Sequence, residues 1–328
     1  MREIIISANE ANQRLDKFLG KYMNQAPSGF FYKMMRKKNI VLNGKKVSGK
    51  EKLLEGDSVK LFLSDETIDK FRTQTVVTRP VSRKNMPEII YEDEHVIFFN
   101  KPVGMLSQKA KPQDVSLVEY LTGYLLESGA LTPEQLRTFH PGICNRLDRN
   151  TSGLITAGKS LAGLQELSQG FKERTFHKYY RCLVKGIVKE EAHIKGYLNK
   201  NYEKNVVTIN EYPEESSHLI ETFYRPIVWD NGVTLMEVEL ITGKTHQIRA
   251  HLASEGHPIL GDYKYGDRKL NDKLQREYRL KSQLLHAYRL EFPQMKGTLK
   301  NLSGKAFVAK EPELFRKIQN SLLGKIGD

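Results

Sequence analysis

The stretch NRLDRNTSG, residues 145–153, is the segment from which the rest of this sequence can be interpreted. It places one carboxylate, Asp148, between Arg146 and Arg149, and it ends in Ser-Gly before an apolar segment typical of a strand. Opposite charges within about 4–6 Å favour the ionised form of a carboxylate. On a loop beside a sheet, such a group can act as a nucleophile. A structural ion pair that only fixes the loop explains the pattern about as well.

Two later segments also combine basic, aromatic and polar residues. The segment Lys178-Tyr179-Tyr180-Arg181 lies on a predicted strand and suits base stacking beside a phosphate, although a core tyrosine with a satisfied hydroxyl would give the same pattern. The segment TGKTHQIRAH, residues 242–251, has a glycine-bearing turn that opens a predicted helix, with Thr245 as N-cap and Arg249 in the first two turns. Its two histidines lack the i, i+4 spacing of a zinc helix, so no metal site is expected.

Periodicity predicts two structured units joined by a linker. Residues 1–64 predict two helices and a small sheet, and residues 65–87 lack a clear period and predict the linker. In residues 88–328, hairpins dominate over regular βαβ alternation, which favours an α+β fold on a mostly antiparallel sheet. The predicted strands are 89–91, 95–99, 153–157, 179–184, 219–228, 233–241, 286–292 and 306–309. The predicted helices are 12–23, 28–38, 116–127, 133–139, 160–173, 245–254 and 312–323.

Charge points to a polyanionic partner. The 328 residues carry 52 Lys and Arg against 39 Asp and Glu, a net charge of +13. Residues 1–64 hold 13 Lys and Arg and 6 Asp and Glu, so 13 − 6 = +7 of that charge lies in the first fifth of the chain. The alternative is a basic face that only keeps the chain in solution. A membrane surface is disfavoured because the basic segment lacks a long apolar helix face.

Composition narrows the class of protein further. With 39% hydrophobic and 28% charged residues, the sequence is typical of a folded globular protein. No apolar run approaches the roughly 18 residues that span a bilayer, and no secretory signal is recognised. The two cysteines, Cys144 and Cys182, form neither a disulfide framework nor a metal site, and a cytoplasmic location is expected. A monomer is also expected.

Four segments in order resemble the RluA-type pseudouridine synthases. NRLDRNTSG resembles their HRLD-x-x-TSG motif, and TGKTHQIRAHLASEGHPILGD, residues 242–262, resembles their TGR-[ST]-HQ-[IL]-R-x-H motif with its continuation. FFNKPVGM, residues 98–105, and Lys178-Tyr179-Tyr180 resemble two further motifs. Residues 1–64 are similar to an S4 RNA-binding domain, a small α/β unit, through RLDKFL, VLNGKKV and EGDSVKL. The arrangement resembles the RluC/RluD branch, whose members modify large-subunit ribosomal RNA.

The resemblance implies a role for several residues. Asp148 matches the catalytic aspartate, Arg249 the arginine that pairs with it, Tyr180 the tyrosine that stacks on the target base, and Arg146 the arginine that fills the gap left by the flipped nucleotide. Asn145 departs from the usual His of the motif and Lys244 from the usual Arg. The expected RNA contacts of the N-terminal unit are its basic residues after the second helix and in the following turn. They are Arg36, Lys37, Lys38, Lys45 and Lys46.

The resemblance implies the isomerisation of uridine to pseudouridine in structured RNA, with no cofactor. The expected substrate is large-subunit ribosomal RNA. The base must be flipped out of its helix before the glycosidic bond can be broken and re-formed. Asp148 could attack the sugar, add to the base, or stabilise and deprotonate the sugar. Two other functions stay open. One is a non-catalytic RNA-binding or ribosome-assembly factor, and the other is a hydrolytic glycosidase, which the single motif carboxylate disfavours.

Overall fold

The computed structural model of this chain describes residues 1–72, 85–201, 203 and 206–324. Its N-terminal unit has a four-stranded sheet in the order β1-β4-β2-β3 and three helices. The strands are β1 Arg2–Ile5, β2 Ile40–Leu42, β3 Lys45–Lys46 and β4 Ser58–Leu61. The helices are α1 Leu15–Tyr22, α2 Ser28–Arg36 and α3 Asp65–Lys70. Asn43 and Gly44 both have positive φ, 51° and 73°, as the tight β2–β3 turn requires.

Apolar spacing explains how this unit packs. The side chains of α1 at positions i, i+3, i+4 and i+7 are Leu15, Phe18, Leu19 and Tyr22, and all four are buried. Helix α3 lies inside the predicted linker, where Ser64 caps it and Ile68 is buried in the same core. The N-terminal unit therefore extends past residue 64. Residues 73–84 of the predicted linker lie outside the described residues.

The larger unit is built on an 11-stranded sheet with the main order β11-β10-β12-β13-β9-β14-β8-β6-β5. Strand β15 pairs with β14, and β7 pairs with β8. The pairing of β8 with β14 is parallel, whereas the other pairings are antiparallel. The strands are β5 Glu88–Glu92, β6 Val96–Lys101, β7 Gly142–Ile143, β8 Ser152–Gly158, β9 His177–Lys185, β10 Ala192–Asn201, β11 Val206–Asn210, β12 His218–Asp230, β13 Val233–Leu240, β14 Leu285–Glu291 and β15 Ala306–Val308.

Five helices flank this sheet, and the α+β class with a mostly antiparallel sheet is confirmed. They are α4 Leu117–Glu127, α5 Leu161–Glu173, α6 Gln247–Ser254, α7 Arg268–Tyr278 and α8 Glu313–Leu323. The main apolar core lies between the sheet and α4, α5 and α6. No helix in the described part of the chain is long and apolar enough to cross a membrane.

Several local predictions were wrong. The helix expected at 133–139 is a single 3-10 turn, Gln135–Arg137. Thr245 does not cap α6, because the helix begins at Gln247 after His246, which has a left-handed φ of 55°. Strands β10 and β11 and helix α7 were not predicted at all.

Candidate active site

Asp148 lies on the loop between β7 and β8, residues 144–151, which we call the Asp148 loop. The backbone on both sides of this residue is fixed. The buried Ser107 hydroxyl donates to the carbonyl of Leu147 at 2.7 Å and accepts from its amide at 3.2 Å. The Asp148 side chain is still 28% exposed, so its carboxylate can be reached from outside.

Lys101, at the end of β6, holds the other side of the Asp148 loop. Its ammonium is fully buried and donates to the carbonyls of Pro102, Met105 and Arg149 at 2.9–3.2 Å. Burial lowers the pKa of Lys101 to about 7, while the field of Asp148 acts to raise it. The segment 98–105 is therefore a support beneath the Asp148 loop.

Arg249 reaches the same site from α6, 101 positions further along the chain. Its Nη1 donates to Oδ2 of Asp148 at 3.0 Å. The guanidinium is 9% exposed, so this ion pair is partly withdrawn from water and weakly screened. The contact that the sequence predicts between these two residues is present.

Asp262 holds the opposite edge of the Arg249 guanidinium. Its two carboxylate oxygens accept from Nε at 2.7 Å and from Nη2 at 2.9 Å, which is the bidentate geometry that arginine favours. Burial alone would raise the pKa of Asp262, which is 1% exposed. Hydrogen bonds from Arg249 and from the amides of Lys264 and Tyr265 hold that pKa below its usual value of 3.8. With this edge held by Asp262, Arg249 presents Nη1 to Asp148.

Tyr180 lies on β9, on the same face of the sheet as the apolar core. It is 7% exposed, and burial together with the nearby Asp148 carboxylate raises the pKa of its phenol well above the usual value. The neutral ring therefore forms an apolar wall beside the carboxylate. Its neighbour Tyr179 points to the other face, where Arg289 stacks on it at 4.2 Å.

His246 and Tyr265 complete the rim of the site. The left-handed backbone of His246 turns its ring inward, so that Nε2 lies 3.7 Å from Oδ2 of Asp148 and Nδ1 lies 2.9 Å from the Tyr265 hydroxyl. Burial lowers the pKa of His246, although Asp148 acts in the opposite direction. Tyr265 also lies against Arg249, with 5.2 Å between the guanidinium carbon and the ring centroid.

The two departures from the RluA-type motif have different surroundings. Asn145 faces away from the site: its amide donates to the carbonyl of Leu154 at 3.1 Å and accepts from the amide of Thr156 at 2.8 Å. It therefore fastens the Asp148 loop to β8. The amide of Lys244 donates to the side chain of Gln247, which helps to shape the turn before α6.

The residues around Asp148 form what we call the catalytic cluster: Lys101, Asp148, Tyr180, His246, Arg249, Asp262 and Tyr265. The predicted RNA contacts lie outside this cluster. Arg146 is exposed on the Asp148 loop. Arg36, Lys37, Lys38, Lys45 and Lys46 are all exposed on the N-terminal unit. That unit docks on the larger one through Thr138, whose hydroxyl donates to the buried Glu10 carboxylate at 2.6 Å, and through Arg72, which pairs with Glu134 at 2.7 Å.

The sequence-based interpretation missed four residues of the cluster: Lys101, Asp262, Tyr265 and His246. The first two lie within motifs that were recognised, at the ends of FFNK and of PILGD, and each is a charged residue next to apolar ones. A charge in an apolar setting is a signal for a buried, paired group. No set of three or more His, Cys, Asp or Glu side chains in the described ranges is arranged to hold a metal ion.

The comparisons with known proteins place this chain among pseudouridine synthases. A family described as RNA pseudouridylate synthase matches residues 95–254, which contain Asp148, Tyr180 and Arg249. The chain is 32% identical to ribosomal large subunit pseudouridine synthase C of Vibrio vulnificus (strain CMCP6), covering 88% of this chain and 87% of that protein. It is 30% identical to the protein of the same name from Escherichia coli (strain K12), with 88% of each chain covered.

A solved structure supports the fold alone. Human RNA pseudouridylate synthase domain containing 4 superposes with a TM-score of 0.55 at 20% identity, and the match covers 69% of this chain and 89% of that one.

Proposed function

Because this chain belongs to the RNA pseudouridylate synthase family, we propose that its substrate is large-subunit ribosomal RNA and that Asp148 carries the reaction. The relatives named above are synthases that act on the large ribosomal subunit, and the match runs over most of both chains. The observation that supports the catalytic assignment best is the 3.0 Å contact between Arg249 and Asp148, with the rest of the guanidinium held by Asp262.

The reaction is an isomerisation, so its atoms balance within the nucleotide. The bond between C1′ and N1 breaks, the uracil turns, a bond between C1′ and C5 forms, and the C5 proton leaves while N1 gains one. The target base must first leave its stack, at a cost of a few kcal/mol. The Asp148 carboxylate, presented by Arg249, then acts on the flipped nucleotide, and the Tyr180 ring stacks on the base.

The second carboxylate of the site is not placed to assist hydrolysis. Ordinary glycosidases place a second carboxylate so that a water molecule can attack. Here the other nearby carboxylate, Asp262, is 1% exposed and both of its oxygens are occupied by Arg249. It is therefore not free to activate water, which disfavours the hydrolytic alternative. A non-catalytic RNA-binding factor is disfavoured because it would have no need of this paired charge network.

The N-terminal unit, in this proposal, is an S4-like RNA-binding domain. Two features support that assignment. Its helices α1, α2 and α3 and its small sheet enclose one apolar core, and its cations after α2 and in the β2–β3 turn stay exposed. Such cations can neutralise phosphates and release counterions.

The decisive test is the variant Asp148→Asn, which keeps the size of the side chain but removes its charge. With RNA that carries C5-tritiated uridine, tritium release should fall below detection while RNA binding and thermal stability stay close to those of the wild type. The exposed residue Asp69 provides the control, and Asp69→Asn should be fully active. Near wild-type release by Asp148→Asn would overturn the catalytic assignment.

The substrate is tested separately. Pseudouridines mapped in ribosomal RNA from cells with and without the gene should differ at one or more large-subunit positions. A difference confined to other RNAs, or none, would overturn the proposed substrate and leave the chemistry intact.

A further inference from the structure

A second basic surface lies next to the active site, around helix α7. Residues 263–281 contain seven Lys and Arg and three Asp and Glu, so 7 − 3 = +4 lies within 19 residues. The cations are Lys264, Arg268, Lys269, Lys273, Arg276, Arg279 and Lys281, and all seven side chains are exposed. The N-terminal cations of the S4-like unit are a different set, so this surface needs its own explanation.

Both ends of this segment are attached to the catalytic cluster. At its start, Asp262 holds Arg249. Inside α7, the buried Asn271 accepts from the amide of Gly261 at 2.7 Å and donates to the carbonyl of Asp262 at 2.9 Å. Beyond its end, the Gln283 amide donates to the hydroxyl of Thr151 on the Asp148 loop at 3.1 Å. The basic segment is therefore held beside the Asp148 loop at both of its ends.

Helix α7 turns its apolar side inward and its charge outward. Asn271 and Leu274 are buried, whereas Lys269 and Arg276 lie on the opposite side, since residues seven apart return to nearly the same face, and Arg268 lies at the edge of that side. Within the described ranges, none of these three cations lies within ion-pair distance of a carboxylate. Such an arrangement leaves their charge available to a ligand.

The few acidic groups of the segment are already engaged. Asp267 pairs with Lys185 at 2.6 Å and also caps α7, and Glu277 lies 3.9 Å from Lys273. The remaining one, Asp272, raises the pKa of the neighbouring Tyr263 by accepting its hydroxyl, after burial as the larger cause. The outward face therefore keeps a clear positive excess.

We propose that the outward face of α7, with Arg268, Lys269 and Arg276 at its centre, binds the phosphate backbone of the RNA strand that flanks the target uridine. This inference rests on the proposed function, because it assumes an RNA substrate at the Asp148 site. The charge of the face is complementary to a phosphate backbone, and the segment that carries it is attached to Arg249 and to the Asp148 loop. Backbone contacts fix the position of a bound nucleic acid without reading its sequence.

The test compares two triple variants that remove the same charge. The first is Arg268→Gln, Lys269→Gln and Arg276→Gln. The control is Lys296→Gln, Lys300→Gln and Lys305→Gln, three exposed cations around the short 3-10 helix Gly297–Leu302, which packs against α5. The RNA is a short ribosomal fragment that the wild-type protein converts, and its affinity is measured from low to moderate KCl.

The α7 triple should bind RNA roughly tenfold more weakly than the wild type at low salt. The slope of log affinity against log salt should also become shallower by about 2, because each lost phosphate contact contributes about 0.7. Turnover at saturating RNA should not change, because no catalytic group is altered. The control triple should match the wild-type slope. Arg268→Lys with Arg276→Lys should also match it, because a phosphate contact requires the charge and not the guanidinium.

Two outcomes would overturn the inference: a wild-type slope in the α7 triple, or an equal loss in the control triple. Thermal melts of each variant separate weak binding from unfolding. If the wild-type protein forms no pseudouridine in any large-subunit fragment, the proposed function fails. If it is active and the slopes are equal, only the role of α7 fails.

Discussion

Arg249 is shared between two carboxylates, and this sharing determines how it can act. Its Nε and Nη2 are committed to Asp262, and only Nη1 donates to Asp148. A planar guanidinium held at one edge cannot rotate, so the position of the free N–H is fixed before the substrate arrives. A lysine at this position could carry the same charge but could not form the fork.

The variant Arg249→Lys should therefore show whether turnover needs only the positive charge at this position or also the fork geometry of the guanidinium. We expect turnover to fall roughly 100-fold, as misplacement by about 1 Å can cause, while RNA affinity changes little. Arg249→Met should abolish turnover and also lower the free energy of unfolding by about 3–5 kcal/mol, because it leaves the buried Asp262 carboxylate without its charged partner. Single-turnover assays and thermal melts measure the two effects. Equal activity of the Lys variant and the wild type would show that the fork is unnecessary.

Asp262 has no route to the substrate, so we expect it to act as a positioning residue. Asp262→Asn keeps an acceptor for the Lys264 and Tyr265 amides but loses one of the two acceptors for Arg249. Turnover should fall by about one order of magnitude or more, with KM unchanged. A rise in KM with unchanged kcat would instead mean that Asp262 contributes to RNA binding. Asp69→Asn again serves as the exposed control.

The pH dependence of stability gives a second measure of the same contact. The folded pKa of Asp262 lies below its usual value of 3.8, so its contribution to stability is present above about pH 4 and is lost as the pH falls below that value. Asp262→Asn cannot titrate. The difference in the free energy of unfolding between wild type and variant should therefore shrink as the pH is lowered from 5 towards 2, and a constant difference would contradict the assignment.

The sequence predicts some of these residues and not others for a physical reason. Asp148, Tyr180 and Arg249 stand in segments whose mixed charge and aromatic pattern is unusual, and the structure brings them together. Asp262 and Lys101 are buried groups whose partners are distant in sequence or are backbone carbonyls. Composition and periodicity carry no trace of such partners.

At the level of elements, the parallel pairing of β8 with β14 places the Asp148 loop. Gly153 has a φ of 113°, and a Cβ built there would lie 2.2 Å from the carbonyl oxygen of Ala287. Only glycine permits this approach between the two strands. The Ser-Gly that ends the NRLDRNTSG stretch is therefore a requirement of the sheet, next to the catalytic loop.

Gly153→Ala should separate β8 from β14 and lower the free energy of unfolding by about 3 kcal/mol, through the clash and the strained φ. Activity should fall with it, because the displaced strand carries the Asp148 loop. Gly123→Ala is the matched control: it lies inside α4 with nothing within 4 Å, and should stabilise the protein by up to about 1 kcal/mol. Urea denaturation of both variants measures these changes. A neutral Gly153→Ala would show that the strands can move apart without cost.

Elements with a strong local pattern were predicted, and elements stabilised by tertiary contacts were not. Strand β12 has alternating burial, and the turn Asp230-Asn231-Gly232 connects it to β13. The prediction of this hairpin was confirmed within two residues at each end. Helix α7 has few apolar residues, and a buried asparagine holds it in place. The start of α6 after His246 was missed. The left-handed backbone of His246 is favoured by contacts of its ring with Asp148 and Tyr265, which a local capping rule does not include.

At the level of the whole molecule, the two units are in contact through a small polar interface. Thr138 donates to Glu10, whose other oxygen accepts from the amide and hydroxyl of Ser7 at 3.0 Å. Arg72 pairs with Glu134 and lies 4.4 Å from the centre of the Tyr22 ring. No periodicity in the sequence predicts which faces dock. These contacts join the unit that carries the exposed N-terminal cations to the unit that carries the Asp148 site.

Two basic surfaces on one molecule should respond differently to the length of the RNA. None of the N-terminal cations contacts a residue of the catalytic cluster in the described ranges, whereas α7 is attached to it at both ends. We expect Lys37→Gln, Lys45→Gln and Lys46→Gln together to flatten the salt dependence by about 2 on a long ribosomal fragment. On a short fragment that contains only the target stem and loop, the same triple should bind as the wild type does.

The α7 triple supplies the comparison, since it should weaken binding of both fragments. On the long fragment the effects of the two triples should add, because the two sets of residues are separate and share no partner. If the N-terminal triple lowers the affinity for both fragments equally, the N-terminal unit must lie close to the target uridine itself. No loss on either fragment would mean that its basic residues do not touch RNA, and the RNA-binding role proposed for residues 1–72 would have to be given up.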